Sequence, residues 1–155
     1  MAIEIERKFL VSKHSWKKSN IIDTHNIKQG YLVKTIDKTV RVRISDKKAF
    51  LTIKTKKVNL SCGEFEYKIP LKDGKQLLDM CGNHIVEKVR HDIMYKGMLW
   101  EVDVFLGKND GLIMAEVELT YPDQPLVIPN WLGKEVSHDK RYTNTYICAH
   151  KVPVS

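Results

Sequence analysis

The chain has 155 residues, of which 43% are hydrophobic and 29% are charged. It is therefore long enough to form one domain with a substantial core, and too rich in apolar residues for a disordered protein. No apolar run approaches the ~18–20 residues that span a bilayer, and the first residues lack the charged-then-apolar pattern of a secretory signal. The net charge of +7 favours an anionic partner, which leaves nucleic acid, a membrane surface or a small polyanion to be distinguished.

Apolar and polar residues alternate with a period of two along most of the chain, which is typical of half-buried strands. The pattern predicts eight strands, over Ile3–Val11, Ile27–Lys34, Thr39–Ser45, Ala49–Lys56, Gly63–Ile69, His84–Tyr95, Met98–Phe105 and Leu112–Tyr121. Short helices are predicted over Ser12–Asn20 and Leu71–Cys81, and a closing helix over Asp139–Lys151 with Asp139 as its N-cap. Eight mostly antiparallel strands favour a closed barrel or a strongly curved sheet, and such a barrel is wide enough to hold one small ligand.

Charged residues concentrate on one face of these strands. Side chains two residues apart share a face, so the fourth strand places Thr52, Lys54 and Lys56 together, and the eighth places Glu116 and Glu118 together. Most strands carry pairs of like charge, whereas a sheet with an ordinary wet face would more often mix signs, because neighbouring like charges repel. If the sheet closes with its apolar side outward, the charges line the interior and need partners or ligands, since unpaired buried charge is costly.

Such an interior would have an acidic and a basic sector. The acidic residues are Glu4, Glu6, Glu66, Asp103, Glu116 and Glu118, and the basic residues are Lys8, Arg41, Arg43, Lys54, Lys88 and Arg90. Clusters of carboxylate oxygens suit Mg²⁺ or Mn²⁺ rather than zinc, while arginine and lysine side chains bind phosphate oxygens. A metal ion and a polyphosphate are therefore the predicted ligands, and the cations suit the roughly four or five charges of a triphosphate. The chain lacks a GxxxxGK[ST] loop, so the predicted phosphate binding is not of the P-loop kind.

The charged pairs also form an ordered series of motifs that opens with Glu4-Ile-Glu6-Arg-Lys8. It continues through Gln29-Gly-Tyr31, Arg41-Val-Arg43, Thr52-Ile-Lys54, Glu64-Phe-Glu66, Glu87-Lys-Val-Arg90, Trp100-Glu-Val-Asp103-Val-Phe105, Glu116-Val-Glu118 and Asp139-Lys-Arg-Tyr142. A chain with these segments resembles the triphosphate tunnel metalloenzymes of the CYTH superfamily, and most of all their short bacterial inorganic triphosphatases. The resemblance covers essentially the whole chain. It implies a single domain over residues 1–155 and an α+β, mainly β fold: an eight-stranded antiparallel β-barrel with a few peripheral helices and a C-terminal helix.

The resemblance implies a role for each charged side chain. The implied metal ligands, for Mg²⁺ or Mn²⁺, are Glu4, Glu6, Glu116 and Glu118. Glu4, Glu6 and Glu118 hold the first ion, and Glu116 lies with Glu66 and Asp103 near a second ion or the attacking water. The implied triphosphate-binding residues are Lys8, Arg41, Arg43, Lys54, Lys88, Arg90 and Lys140. The implied catalytic residues are Lys88, Tyr31, Glu66 and Asp103. For Tyr31 an aromatic side chain that merely packs in a strand is the alternative.

One position departs from the family pattern. Many members carry a basic residue just before the Glu-x-Glu of the fifth strand, where this chain reads Ser61-Cys62-Gly63. A thiol cannot supply a cation at pH 7 unless another side chain compensates. One end of the ligand would then be held by less positive charge, which leaves the exact substrate open.

The segments favour divalent-metal-dependent hydrolysis of a triphosphate, most of all inorganic tripolyphosphate. Class IV adenylyl cyclases carry His-Phe upstream of ExExK, an element that does not precede Glu4 here. An adenylyl cyclase that makes cyclic AMP from ATP, a thiamine triphosphatase and a non-catalytic polyphosphate-binding module remain the alternatives. A nucleic-acid role would need exposed aromatic residues among basic ones, whereas Trp16, Trp100 and Trp131 lie in apolar contexts that predict core positions.

The cysteines bear on the cellular setting. Cys62, Cys81 and Cys148 are odd in number and far apart, so we interpret them as reduced thiols of a cytoplasmic protein. The expected partner is a small molecule that contains a triphosphate, with no nucleic acid and no membrane. The resemblance also implies a homodimer.

Overall fold

One antiparallel sheet contains every strand of residues 1–154, the part of the chain that the computed structural model describes. The elements in chain order are β1 (Ala2–Val11), β2 (Ile21–Lys34), β3 (Lys38–Ser45), β4 (Lys48–Thr55), β5 (Ser61–Ile69), α1 (Leu71–Asp79), β6 (Ile85–Tyr95), β7 (Met98–Phe105), β8 (Ile113–Glu118), β9 (Leu132–Glu135) and α2 (Asn144–Ala149). Short 3-10 turns lie at His14–Lys18, Gly107–Asn109 and Lys140–Tyr142. None of the described helices is long and apolar enough to cross a membrane.

The sheet closes on itself through β1. The strand order is β5-β4-β3-β2-β6-β7-β8-β1, and β1 also pairs with β5, from Ala2 opposite Glu64 to Ile5 opposite Ser61. The later part of the same edge of β1 pairs instead with β9, where Phe9 lies opposite Glu135. The predicted closed, eight-stranded antiparallel barrel is therefore confirmed, and β9 lies outside it.

Several predicted boundaries were wrong. β2 begins at Ile21 rather than Ile27, because the added residues pair with β6 although their polar sequence breaks the alternation. β8 ends at Glu118 rather than Tyr121. The short β9 was not predicted, since its four residues follow a proline-containing segment and are too few for a periodic signal. The helix predicted over Ser12–Asn20 is only the 3-10 turn His14–Lys18.

The predicted closing helix is divided in two. Asp139 does act as a cap, but of the 3-10 turn, where its side chain accepts a hydrogen bond from the Arg141 backbone. Thr143 then adopts an extended conformation, and its hydroxyl accepts from the Tyr146 backbone to cap the six-residue helix α2. A threonine that favours an N-cap over a helix interior explains the interruption.

Most of the apolar core lies outside the barrel wall. Trp100 is fully buried on the outer face of β7, with its ring centroid 5.7 Å from Phe9 and 6.1 Å from Trp131. Trp16 and Ile93 belong to the same cluster. All three tryptophans are buried, as predicted, and aromatic pairs of this kind contribute about 0.5–1.5 kcal/mol each beyond burial.

Helix α1 packs on the outer face of β3 and β4, where Leu78 and Val42 are buried together. Gly74 allows this close approach, because a Cβ at that position would overlap the Cβ of Ala49. The outward face of these strands is thus committed to packing, which leaves the charged face to the lumen.

One end of the barrel interior is apolar and is filled by α2. Inward-facing Leu10, Phe105 and Met114 form one buried cluster with Ile147 of α2. The first residue of α2, Asn144, reaches the polar part of the lumen, where its side-chain oxygen accepts from Lys88 at 3.4 Å. The helix therefore limits the polar lumen at this end.

His25 links β2 to the β3–β4 turn and to β6 through hydrogen bonds. The Nδ1 atom of His25 in β2 lies 3.0 Å from a carboxylate oxygen of Asp46, in the β3–β4 turn, and its Nε2 lies 3.2 Å from Asp92 in β6. The backbone N–H of Asn26 donates to the other oxygen of Asp46 at 2.9 Å. The hydrogen bond to Asp46 is the main cause of a raised pKa of His25.

We predict that the His25→Gln variant is less stable than the wild type by about 1–2 kcal/mol near pH 6, since each lost hydrogen bond contributes about 0.5–1.5 kcal/mol or more when charged. The folded pKa of His25 is raised, so its stabilisation is complete below the unfolded value of about 6.5 and is lost as the pH rises through the folded value. Urea unfolding at pH 6 and pH 8.5 should therefore show the larger deficit at pH 6. His14→Gln, at an exposed residue, is the control, and an equal deficit at both pH values would contradict the prediction.

Candidate active site

Charged side chains from seven of the eight barrel strands line one cavity of about 170 Å³ in the lumen. The lining residues are Glu4, Glu6, Arg41, Arg43, Lys54, Glu64, Glu66, Arg90, Glu101, Glu116, Glu118 and Asn144. The predicted convergence of the charged faces on a closed lumen is therefore confirmed. We call this space the central cavity.

The lumen continues into a second space of about 150 Å³, which we call the entrance cavity. Glu4, Glu6, Lys54 and Asn144 line both, and the entrance cavity adds Lys8, Tyr31, Thr39, Lys57, Leu60, Cys62, Thr143 and Thr145. The two cavities thus meet at the carboxylates of β1.

Carboxylates crowd together where β1 meets β8. The register places Glu6 directly opposite Glu118 and Lys8 opposite Glu116. Burial, and then the charge of Glu116, raises the pKa of Glu6 to about 7. Burial and the neighbouring Glu4 raise the pKa of Glu118. Burial would raise the pKa of Glu116, but Lys8 and Arg90 lower it, so the cations offset Glu116 and leave Glu6 and Glu118 uncompensated. The donors are all oxygens, and the residues therefore fit a hard divalent cation.

Lysines only partly balance these carboxylates. Lys54 contacts Glu4 at 2.7 Å and Glu64 at 3.6 Å. The ammonium of Lys8 lies farther from its partners, 3.7 Å from Glu6 and 3.9 Å from Glu116. The longer contacts of Lys8 leave it able to bind another anion.

A tightly paired group lies beside the central cavity. Arg90 donates two hydrogen bonds to Asp103, at 2.7 and 2.9 Å, and Lys88 contacts the same carboxylate at 2.7 Å. Burial would raise the pKa of Asp103, but the two cations lower it. Burial lowers the pKa of Lys88 to about 8, so this ammonium can release a proton near neutral pH.

The two arginines of β3 are poorly compensated. Arg43 donates its Nε–H to Gln29 at 2.6 Å and has no carboxylate within 4.0 Å among residues 1–154. Burial, together with the charges of Arg41 and Arg90, lowers its pKa to about 10. Among residues 1–154, Arg41 has one carboxylate within 4.0 Å, Glu66 at 3.7 Å, and donates from Nη2 to Thr52 at 3.3 Å. Its buried Nε–H lacks a partner in the described structure. Buried guanidinium donors without partners are costly, so this sector fits an anionic ligand.

The structure brings most of the predicted site residues together. The central cavity contains Glu4, Glu6, Glu66, Glu116, Glu118, Arg41, Arg43, Lys54 and Arg90, and the entrance cavity contains Lys8 and Tyr31. Lys88 and Asp103 are buried beside these cavities, where Lys88 contacts Asn144 and Asp103 contacts Arg90. Lys140 is separate: it is exposed at the start of a 3-10 turn, in a surface depression with Lys134 and Asp139.

Several residues of the cavities were given no role by the sequence, and four of them carry charged or amide side chains: Glu64, Glu101, Asn144 and Lys57. Glu64 and Glu101 each lie two positions from a predicted residue, so strand alternation could have identified them. Asn144 starts a helix and Lys57 lies in the loop between β4 and β5, where no strand period applies. The sequence pattern thus contains no signal for these two.

Arg7 lies within the ExExK motif but belongs to the outer surface. Its guanidinium contacts Glu135 of β9 through two hydrogen bonds, at 2.7 and 2.9 Å. Strand alternation predicts this separation of Arg7 from Glu6 and Lys8, which share the other face. The pair supports the attachment of β9 and takes no part in the lumen.

Comparison with known proteins agrees with this geometry. The CYTH domain family matches residues 2–146. An inorganic triphosphatase of Acetivibrio thermocellus is 40% identical over 148 residues, which cover 94% of this chain and 92% of the relative. An inorganic triphosphatase of Nitrosomonas europaea is 35% identical over 145 residues, with 91% and 93% coverage.

Solved structures share the fold. The crystal structure of an inorganic triphosphatase superimposes with a TM-score of 0.70 at 33% identity and covers 96% of this chain and 95% of that one. A putative adenylyl cyclase from Hippeastrum, at 18% identity and a TM-score of 0.57, covers 77% and 81% and shares the fold alone. With its tunnel of paired charges and its family match over nearly the whole chain, the protein belongs to the CYTH superfamily of triphosphate tunnel metalloenzymes, which depend on a divalent metal.

Proposed function

We propose that the protein hydrolyses inorganic tripolyphosphate with the help of Mg²⁺ or Mn²⁺. The observation that carries the proposal is the division of one closed lumen into two sectors of opposite charge, neither of which is balanced internally. Glu6 and Glu118 are crowded by other carboxylates, while Arg41 and Arg43 have unused donors. A divalent ion and a polyanion bound side by side would offset both imbalances.

The relatives support the choice of substrate. Both curated relatives are inorganic triphosphatases, and each is at least 35% identical over more than nine-tenths of this chain. The central cavity is lined by polar groups on every side, which suits a chain of phosphates without a base or sugar. The free thiols of Cys62, Cys81 and Cys148 support a reducing, cytoplasmic setting.

The metal would be held by Glu4, Glu6, Glu116 and Glu118, whose carboxylate oxygens are the donors that Mg²⁺ and Mn²⁺ prefer. When bound, the ion polarises phosphoryl oxygens and neutralises their charge. Removal of charge repulsion among the ligands would itself favour binding, because burial and like charges have raised the pKa of Glu6.

The substrate would be held by the side chains of Lys8, Arg41, Arg43, Lys54 and Arg90. Hydrolysis adds water across one P–O–P bond and yields phosphate and pyrophosphate. Positioned cations stabilise the charge that develops on the leaving oxygen. Lys88 suits this task, because its pKa of about 8 lets it hold or donate a proton near neutral pH.

Two carboxylates predicted to be catalytic have different surroundings. Glu66 lines the cavity and accepts one hydrogen bond, at 3.0 Å from Thr52. We therefore assign Glu66 the role of the general base that accepts a proton from the attacking water. Asp103 is almost fully buried and already pairs with Arg90 and Lys88. We therefore assign Asp103 the positioning of those two cations. Tyr31, in the entrance cavity, is assigned a substrate contact beside Lys8.

A substrate panel tests the proposal directly. Purified protein with Mg²⁺ or with Mn²⁺ should release phosphate and pyrophosphate fastest from tripolyphosphate and more slowly from ATP and thiamine triphosphate. Phosphate, pyrophosphate and cyclic AMP are measured in the same samples. Formation of cyclic AMP from ATP would favour the cyclase instead, and no release from any substrate would overturn the hydrolase proposal.

We predict that Glu118→Gln reduces metal-dependent turnover by on the order of 100-fold, because even groups that only orient metal ligands typically contribute 10–100-fold. The rise in Tm that Mg²⁺ or Mn²⁺ produces in the absence of substrate should shrink as well, since a bound ligand stabilises the folded state in proportion to its affinity. Glu87→Gln, at an exposed residue 3.6 Å from Lys28 outside the lumen, is the matched control. Equal metal-induced shifts in the two variants would contradict the assignment.

We predict that Arg43→Met lowers kcat/KM for tripolyphosphate by about 10- to 100-fold, since a hydrogen bond to a charged group contributes about 1.5–3 kcal/mol. Arg7→Met removes a guanidinium of the same size that pairs with Glu135 on the outer surface, and should leave kcat/KM unchanged. Steady-state kinetics with both variants, alongside their melting temperatures, separates binding from folding. A similar loss of activity in both would show that the effect is not specific to the lumen.

A further inference from the structure

The turn between β4 and β5 fixes the position of Lys57. Val58 and Ser61 exchange two backbone hydrogen bonds, at 2.8 and 3.0 Å, and Asn59 adopts a left-handed conformation with φ of 54°. Asparagine tolerates that conformation better than most residues. The carbonyl of Leu60 accepts from the backbone of Glu6 at 3.4 Å, which ties the turn to β1. Lys57, immediately before this closed turn, therefore starts from an anchored backbone.

The side chain of Lys57 lines the entrance cavity with Lys8 and Lys54. Each of those two lysines has carboxylates within 4.0 Å, whereas Lys57 has none among residues 1–154. Its one hydrogen bond in that part of the chain is long, 3.5 Å to the carbonyl oxygen of Ser137. Lys57 is thus the uncommitted cation of the entrance cavity.

Cys62 lines the same cavity from β5, opposite Glu4 of β1. Burial raises the pKa of its thiol, so the side chain is neutral at pH 7 and gives this wall no positive charge. Lys57 is exposed overall, but its partial burial and the nearby charge of Lys8 lower its pKa. A bound anion would relieve the repulsion between the two lysines, which favours binding at this point.

We propose that Lys57 is a substrate-binding residue that contacts the phosphate at the entrance end of tripolyphosphate and supplies the positive charge that Cys62 cannot. The inference rests on the proposed function, which it extends by assigning the group that holds one end of the substrate. A lysine donates from a single ammonium on a flexible stem, so it can reach this phosphate from a turn rather than from the barrel wall.

Steady-state kinetics on the full-length chain tests the inference. Lys57→Ala should raise KM for tripolyphosphate about tenfold and change kcat less than about twofold, the effect of one lost charged contact. Lys56→Ala is the matched control, because Lys56 is its neighbour and is exposed as Lys57 is, but lines neither cavity. Adding Cys62→Arg to the Lys57→Ala variant should restore most of the lost affinity, since a guanidinium at the start of β5 then supplies the missing charge.

The outcomes separate the two proposals. If the wild type hydrolyses tripolyphosphate but Lys57→Ala has the same KM as Lys56→Ala, the role of Lys57 is overturned and the proposed function stands. If Lys57→Ala lowers kcat without raising KM, the role in binding is likewise overturned. If the wild type does not hydrolyse tripolyphosphate, both proposals fail. Equal melting temperatures of the Lys57 and Lys56 variants ensure that the comparison reports on binding.

Discussion

The closure of the sheet at β1 determines that the charged faces of the strands point into a lumen. β1 pairs with β5 on one edge and with β8 on the other, so its charged face cannot turn to bulk water. The same pairing places Glu6 opposite Glu118, an arrangement that like-charge repulsion disfavours on any sheet. The cost is tolerated only because apolar packing outside the wall, around Trp100 and Leu78, stabilises the barrel independently of its contents.

Some charged groups of the lumen are paired with opposite charges, whereas others are not. The negative charge of Asp103 is fully compensated, because Asp103 forms a buried network with Arg90 and Lys88 that leaves few unused donors. Arg43, by contrast, keeps only an uncharged partner, Gln29. An unpaired buried cation gains more from a bound anion than one whose charge is already offset. In the proposed function Arg41 and Arg43 therefore gain most from the substrate, while Asp103 fixes the positions of Arg90 and Lys88.

Strand periodicity predicted most of the fold and of the site, because a period of two assigns every residue of a strand to one face. It correctly separated Arg7 from Lys8. The periodicity gave no correct prediction outside the strands, because side chains alternate between faces only in extended backbone. β4 stops at Thr55, so the alternation that runs from Lys54 points to Lys56, whereas Lys57 reaches the cavity. The entry of Asn144 depends on how α2 packs against the apolar end of the barrel, a tertiary contact that no local pattern encodes.

Residues of the barrel strands and residues of the connecting segments have different roles in the proposed binding of the substrate. The barrel wall supplies the charges of the central cavity, and their spacing is set by register, which cannot shift by one residue without turning every side chain to the other face. A loop residue and the first residue of a helix, Lys57 and Asn144, line the entrance cavity. Such segments can change a residue without disturbing the register. In the proposed function, the wall therefore selects a metal-bound polyanion, while the residues of the entrance cavity contact one end of that anion.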